Sequence, residues 1–176
     1  MSSAAACLAA ALIAISAPVV AQTLTAPMHL ATPTGPGESV GDITITQGQA
    51  GASFTLDLHG LPPGPHGFHV HANASCAPGE KDGKPVPAGG AGAHLDPAMS
   101  GMHMGPTGTG HLGDLPLITV TADGAARAVL SAPRIRSLDD LRGHALMIHL
   151  GGDNYADTPA PLGGGGARLA CGVIGG

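Results

Sequence analysis

The stretch Gly67-Phe68-His69-Val70-His71 constrains this chain more than any other, because its alternation makes sense only on a β-strand. Successive strand side chains point to opposite faces, so His69 and His71 share one face while Phe68 and Val70 share the other. Two imidazoles can then reach one ion while two apolar groups pack a core. Leu61-Pro62-Pro63-Gly64-Pro65 reads as a turn into the strand, and Ala72-Asn73-Ala74-Ser75 as a loop leaving it. Taken alone, the pair falls short of the three or four ligands that transition metals take, and an incidental pair of histidines is the plainer reading.

The rest of the chain supports a β fold of one domain. With 29 Gly and 16 Pro among 176 residues, two Phe, one Tyr and no Trp, it favours many short strands over long helices, with Val, Ile and Leu filling the interior. Seven Lys and Arg against 12 Asp and Glu leave a net charge of -5, which argues against nucleic acid or an anionic membrane as partner. Ten histidines are the anomaly that needs a chemical explanation.

From Ala4 to Val20 the residues are almost wholly small and apolar, ending Val19-Val20-Ala21 before Gln22. This is the pattern of a secretory signal peptide, expected over residues 1–21, with the domain proper at 22–176. No Lys or Arg precedes the apolar run, so either the true start lies upstream or the signal is atypical. A membrane anchor is the alternative, although Ser16 and Pro18 interrupt the run and it barely spans a bilayer. Cys7 would leave with the signal, and the remaining pair, Cys76 and Cys171, is expected to form a disulfide in an exported protein.

In chain order, Pro27–Ala31, Gly41–Gln47 and Phe54–His59 read as strands, with Ile43, Ile45, Phe54, Leu56 and Leu58 inward. His29 and His59 fall on the polar phase and read as surface residues. His66 is placed to orient a ligand or to satisfy backbone groups behind it. Residues 76–114 carry no sustained strand or helix period, and a loop this long is usually functional or disordered. It holds His94, His103, His111 and Asp114 at spacings of nine, eight and three among Gly and Pro, enough for a tetrahedral Zn²⁺. A disordered tract rich in His and Met that binds metal loosely is the alternative there. Strands are expected again at Leu115–Thr121 and Ala126–Leu130 around the turn signal Asp123-Gly124. Ser137 is a candidate N-cap, Ala145–Leu150 a buried strand carrying His149, and Ala167–Ile174 a last strand.

Together these motifs resemble one family. Gly67-Phe68-His69-Val70-His71, Gly92-Ala93-His94-Leu95-Asp96-Pro97, Gly110-His111-Leu112-Gly113-Asp114-Leu115-Pro116, Met147-Ile148-His149 and Gly163 through Ile174 stand in the order found in copper/zinc superoxide dismutase. Gly151-Gly152-Asp153-Asn154-Tyr155 and the short loop before Arg168 resemble its bacterial, periplasmic branch. The resemblance runs from about residue 27 to the end. It implies an eight-stranded Greek-key β-barrel of the immunoglobulin-like type with long metal-binding and electrostatic loops.

Position by position, the resemblance implies copper held by His69, His71, His94 and His149. Zinc would be held by His94, His103, His111 and Asp114, with His94 shared. The implied activity is dismutation of superoxide to dioxygen and hydrogen peroxide in the periplasm, with Arg168 docking the anion and His94 supplying a proton. Asp153 would link a copper ligand to a zinc ligand; Asp157 is a poorer candidate. Lys81 and Lys84 could steer substrate or be merely solvated, and Met102 and Met104, flanking His103, could bind Cu(I) or do nothing. Monomer and homodimer both stay open. The rival reading, from another class, is a copper and zinc buffering or chaperone protein on the same scaffold. The full ligand set and the arginine speak against it.

Overall fold

The computed structural model describes residues 23–175, so the expected signal peptide lies outside it. Three long strands, β1 (Thr23–Thr32), β2 (Gly35–Gly48) and β3 (Gly51–Leu58), form an antiparallel meander. Alternation sets their inner face: Leu24, Ala26 and Met28, then Val40, Ile43 and Ile45, then Ala52, Phe54, Leu56 and Leu58 are all buried. Gly41 marks where β2 bends, at φ +107°. A Cβ there would stand 2.1 Å from the carbonyl oxygen of Asp57, so only glycine fits.

The chain continues through β4 (Gly64–His66) and β5 (Phe68–His71), which are one strand interrupted at Gly67. A small hairpin follows, β6 (Gly79–Lys81) with β7 (Lys84–Val86), inside the segment expected to lack strands. Then come β8 (Ile118–Val120), β9 (Ala126–Ala132), β10 (Ala145–His149) and β11 (Arg168–Val173). The main sheet runs β5-β10-β11-β1-β2-β3-β9. The turn at Asp123-Gly124 connects β9 to β8, which pairs with β4, and the sheet thereby curls into a closed barrel. With β4 and β5 taken as one strand, the seven-stranded sheet and β8 make eight strands. The non-sequential pairings β3 with β9 and β5 with β10 are its Greek-key crossovers.

Phe54 and Phe68, the chain's two Phe, meet edge to face across the interior, ring centroids 5.7 Å apart. Ser137 caps the 3-10 turn Leu138–Leu141 in a capping box with Asp140. Strand ends differ from expectation: β1 begins four residues earlier than Pro27, and the expected strand Leu115–Thr121 shrinks to Ile118–Val120. The lost residues hydrogen-bond elsewhere, because Leu115 N–H donates to Phe68 O and Leu117 N–H to the Tyr155 hydroxyl. No helix among the described residues is long and apolar enough to cross a membrane.

Candidate metal centre

All four residues of β5 are buried, and its two edges are used differently. One edge pairs with β10, setting His71 opposite Ala145 and His69 opposite Met147. The other is taken by loop backbone: Ala72 N–H donates to Ala93 O, Leu95 N–H to Val70 O and Val70 N–H to Gly113 O, at 2.8–2.9 Å. The loop therefore docks as a substitute strand, and bridges form between His71 and His94 and between His69 and Asp114. Gly113 permits this approach. A Cβ there would lie 2.3 Å from Val70 O, so any side chain would lever the loop away.

Two four-residue groups of possible ligands result, His69, His71, His94 and His149, and then His94, His103, His111 and Asp114; a smaller one, His69, His103 and Asp153, lies between them. Within each group the ligand atoms lie within 4.8 Å of one another, and all seven residues of the two larger groups are buried. His94 belongs to both of these. Its ring centroid is 4.0–6.0 Å from those of His69, His71, His103, His111 and His149.

Hydrogen bonds decide which nitrogen each ring turns inward, since a ligating imidazole uses its other nitrogen to fix its orientation. His71 engages Gly92 O through Nδ1 at 2.9 Å and His149 engages Gly166 O through Nδ1 at 3.1 Å. Their Nε2 atoms are left facing each other at 3.4 Å. His69 Nε2 and His103 Nε2 are both held by the carboxylate of Asp153, at 2.7 and 2.8 Å, which frees both Nδ1 atoms. One carboxylate thus spans both groups. Asp114 Oδ2 accepts from the backbone N–H of Met104 and Gly105, leaving Oδ1 for the cluster.

Among the described residues, three buried ring nitrogens lack a hydrogen-bond partner: His69 Nδ1, His94 Nε2 and His103 Nδ1. The last is 2.9 Å from Asp114 Oδ1 but out of line for a hydrogen bond. Buried polar atoms without partners are uncommon, and a cation in each group would satisfy all three. The Nδ1 atoms of His94, His103 and His111 stand 3.1, 2.9 and 3.3 Å from Asp114 Oδ1. Neighbouring ligands of a tetrahedral zinc with 2.0–2.1 Å bonds stand about 3.3 Å apart, so this group fits zinc. The other, made of four imidazoles, suits copper.

Burial pushes the imidazoles of the first group toward the neutral form that binds metal: His71 down to about 2, His149 to about 3, His94 to about 4, and His69 down as well. His103 moves oppositely. Burial opposes its charge, but Asp114 and Asp153 outweigh burial and raise it to about 9. Both carboxylates, despite their own burial, are held well below the usual range by their histidine partners.

Arg168 opens β11 opposite His149, and its guanidinium donates to the carbonyl oxygens of Ala88 and Gly92. The loop it grips is anchored by the disulfide Cys76–Cys171, whose second half lies three residues beyond Arg168. His66, buried, sets its ring nitrogens 2.8 Å from the carbonyl oxygens of His149 and Pro62. It braces a ligand's backbone. His59 is exposed as expected, whereas His29 is half-buried, with Nδ1 3.1 Å from Gly37 O. Lys81 and Lys84 are exposed and register-paired at the tip of the β6–β7 hairpin.

Sequence reasoning missed two supports. Arg134 donates to the carbonyls of Gly110 and His111 at 2.7 and 2.8 Å, and Asp157 accepts from His103 N–H at 2.9 Å. An isolated Arg in a loop carries no periodic signal. Asp157, four residues past Asp153, was recognisable only as a poorer candidate for the linking carboxylate; its partner is the backbone of His103, not the ring.

A Greek-key barrel whose outer loops bring together two groups of possible metal ligands, with one histidine common to both, has the build of a binuclear metalloprotein. The chain belongs to the copper/zinc superoxide dismutase family: residues 39–174 match the family model described as copper/zinc superoxide dismutase (SODC). It is 59% identical over 167 residues to superoxide dismutase [Cu-Zn] 1 of Salmonella typhimurium (strain LT2), covering 94% of each chain. The solved Cu/Zn superoxide dismutase from Brucella abortus superposes with a TM-score of 0.86 at 52% identity, over 87% of this chain and 99% of that one. The solution structure of the monomeric copper, zinc superoxide dismutase from Salmonella enterica gives 0.78 at 54% identity, over 87% and 99%. The family's cofactors are copper and zinc, and both groups of side chains fit them.

Proposed function

We propose that this chain converts superoxide to dioxygen and hydrogen peroxide in the periplasm, protecting the cell envelope, after export with removal of residues 1–21. Copper is assigned to His69, His71, His94 and His149, and zinc to His94, His103, His111 and Asp114. The observation that carries the assignment is His94. Its Nδ1 lies 3.1 Å from Asp114 Oδ1, while its buried Nε2 has no hydrogen-bond partner, and His94 is the residue common to both groups.

When bound, copper supplies a one-electron couple and zinc a redox-inert charge that holds the shared ring. The chain's own groups do the rest. The guanidinium of Arg168, fixed by two carbonyls beside His149, attracts and orients a small anion that the protein's net charge of -5 would otherwise repel. Two superoxide anions consume two protons to give one dioxygen and one peroxide, and His94 Nε2 can hold one of those protons. Asp153 keeps the rings of His69 and His103 in place through each turnover.

The test is His149→Ala, assayed for superoxide removal and metal content together. Activity is expected to vanish while one zinc per chain remains. Undiminished turnover in that variant would refute the assignment.

A further inference from the structure

We infer that Met99, Met102 and Met104 form a third metal site, a thioether site for Cu(I) on the outer surface of the loop that carries His103. The chain places its methionines in two ways. Met28 and Met147 are fully buried, whereas Met99, Met102 and Met104 are 89%, 46% and 42% exposed within six residues. They are three of the seven large apolar side chains exposed among the described residues.

The three stand within one six-residue stretch of the loop. His103 turns inward to Asp114 and Asp153 and is 2% exposed, whereas its neighbours Met102 and Met104 both reach the surface. Chain reach keeps the Cα atoms of residues two apart within about 7 Å, close enough for two flexible thioethers to close on one ion. This face of the loop is held rigid from below: Met102 O accepts from His111 N–H, and Met104 N–H donates to Asp114 Oδ2. Met99 tops the adjoining turn, where the Asp96 carboxylate accepts from Gly101 N–H and the Ser100 hydroxyl. Its φ is +51°, a left-handed conformation that favours glycine, so a bulky side chain is held there against the backbone's preference. One sulfur is already oriented, since the Thr109 hydroxyl donates weakly to Met104 Sδ at 3.6 Å.

Thioethers are soft ligands that select Cu(I) over zinc or calcium. The exposed carboxylate of Asp157, bonded to the backbone N–H of His103, adds negative charge beside the face. This site is separate from the dismutase assignment, which uses no methionine, and either can fail without the other.

The test uses the copper- and zinc-loaded protein, reduced and without oxygen, titrated with Cu(I) alone beside the variant M99L/M102L/M104L. Leucine keeps the volume and removes the sulfur at exposed positions, and superoxide removal serves as the folding control. The wild type is expected to take up one Cu(I) more than the variant, with a sulfur shell in its copper X-ray absorption spectrum. Methyl resonances of Met99, Met102 and Met104 should shift, and those of Met28 and Met147 should not. Equal Cu(I) uptake by the two proteins, or a wild-type spectrum without sulfur, overturns the proposal.

Discussion

His71 and Arg168 hydrogen-bond to the same atom, the carbonyl oxygen of Gly92, so one backbone group positions both an imidazole of the four-histidine group and the guanidinium proposed to dock the anion. The second prong of the guanidinium rests on Ala88 O. A lysine keeps the charge but cannot span two carbonyls. Arg168→Lys is therefore expected to slow superoxide removal about tenfold or more, the worth of a charge-assisted hydrogen bond, with metal content unchanged. Turnover measured across ionic strength checks it, and Arg168→Ala should show a flatter salt dependence than either.

The disulfide should matter to both stability and rate. Cys76 and Cys171 are 95 residues apart, and closing such a loop contributes about 4 to 5 kcal/mol in the chain-entropy model. Because the tethered loop also supplies Ala88 O and Gly92 O to Arg168, Cys76→Ser is expected to lose activity beyond its loss of bound metal. Denaturant unfolding and specific activity per bound copper separate the two effects.

Asp153→Asn tests the link between the two groups. An amide can accept from one ring but presents an N–H₂ donor to the other, so one of the bonds to His69 and His103 is lost. Affinity should fall about 10- to 100-fold for both metals. Competition with a chelator of known strength, run separately for copper and zinc, gives the result; loss of one metal alone would contradict the bridging role.

Metal-free protein should be acid-sensitive in a particular way. His71, His94 and His149 have folded values of about 2, 4 and 3, below the unfolded 6.5, so the unfolded chain binds more protons as pH falls. Their contribution is complete above 6.5 and is lost progressively below it. His103, raised to about 9, contributes fully below 6.5 and loses that contribution as pH rises through 9. His69, Asp114 and Asp153 are also held below their ordinary values and weaken the acid side with these three, whereas His103 acts on the alkaline side, so the melting temperature should drop more steeply below pH 6.5 than above it. Bound metal competes with protons for the same nitrogens and should extend stability toward acid. Melting curves across pH with and without metal decide it.

Gly113→Ala should separate folding of the barrel from assembly of the site. A Cβ 2.3 Å from Val70 O breaks the docking of the loop on β5 and displaces Asp114. Far-ultraviolet circular dichroism is expected to persist while zinc affinity collapses.

Much of this was legible in the linear chain, and the reason is local. Period-two alternation set the inner faces of β2 and β3 and put His69 and His71 on one side, because a pleated strand leaves no other choice. Ser137 before Leu138 announced its capped turn in the same way. The candidate ligand residues were recognisable as types at spacings, and Cys76 and Cys171 as a pair. What only the tertiary structure decided is direction: which nitrogen of His94 faces Asp114, which carbonyl turns His71 and Arg168, and how Asp153 reaches rings 84 and 50 residues away. Each depends on a hydrogen bond between segments distant in the chain, and no local period encodes where such segments meet.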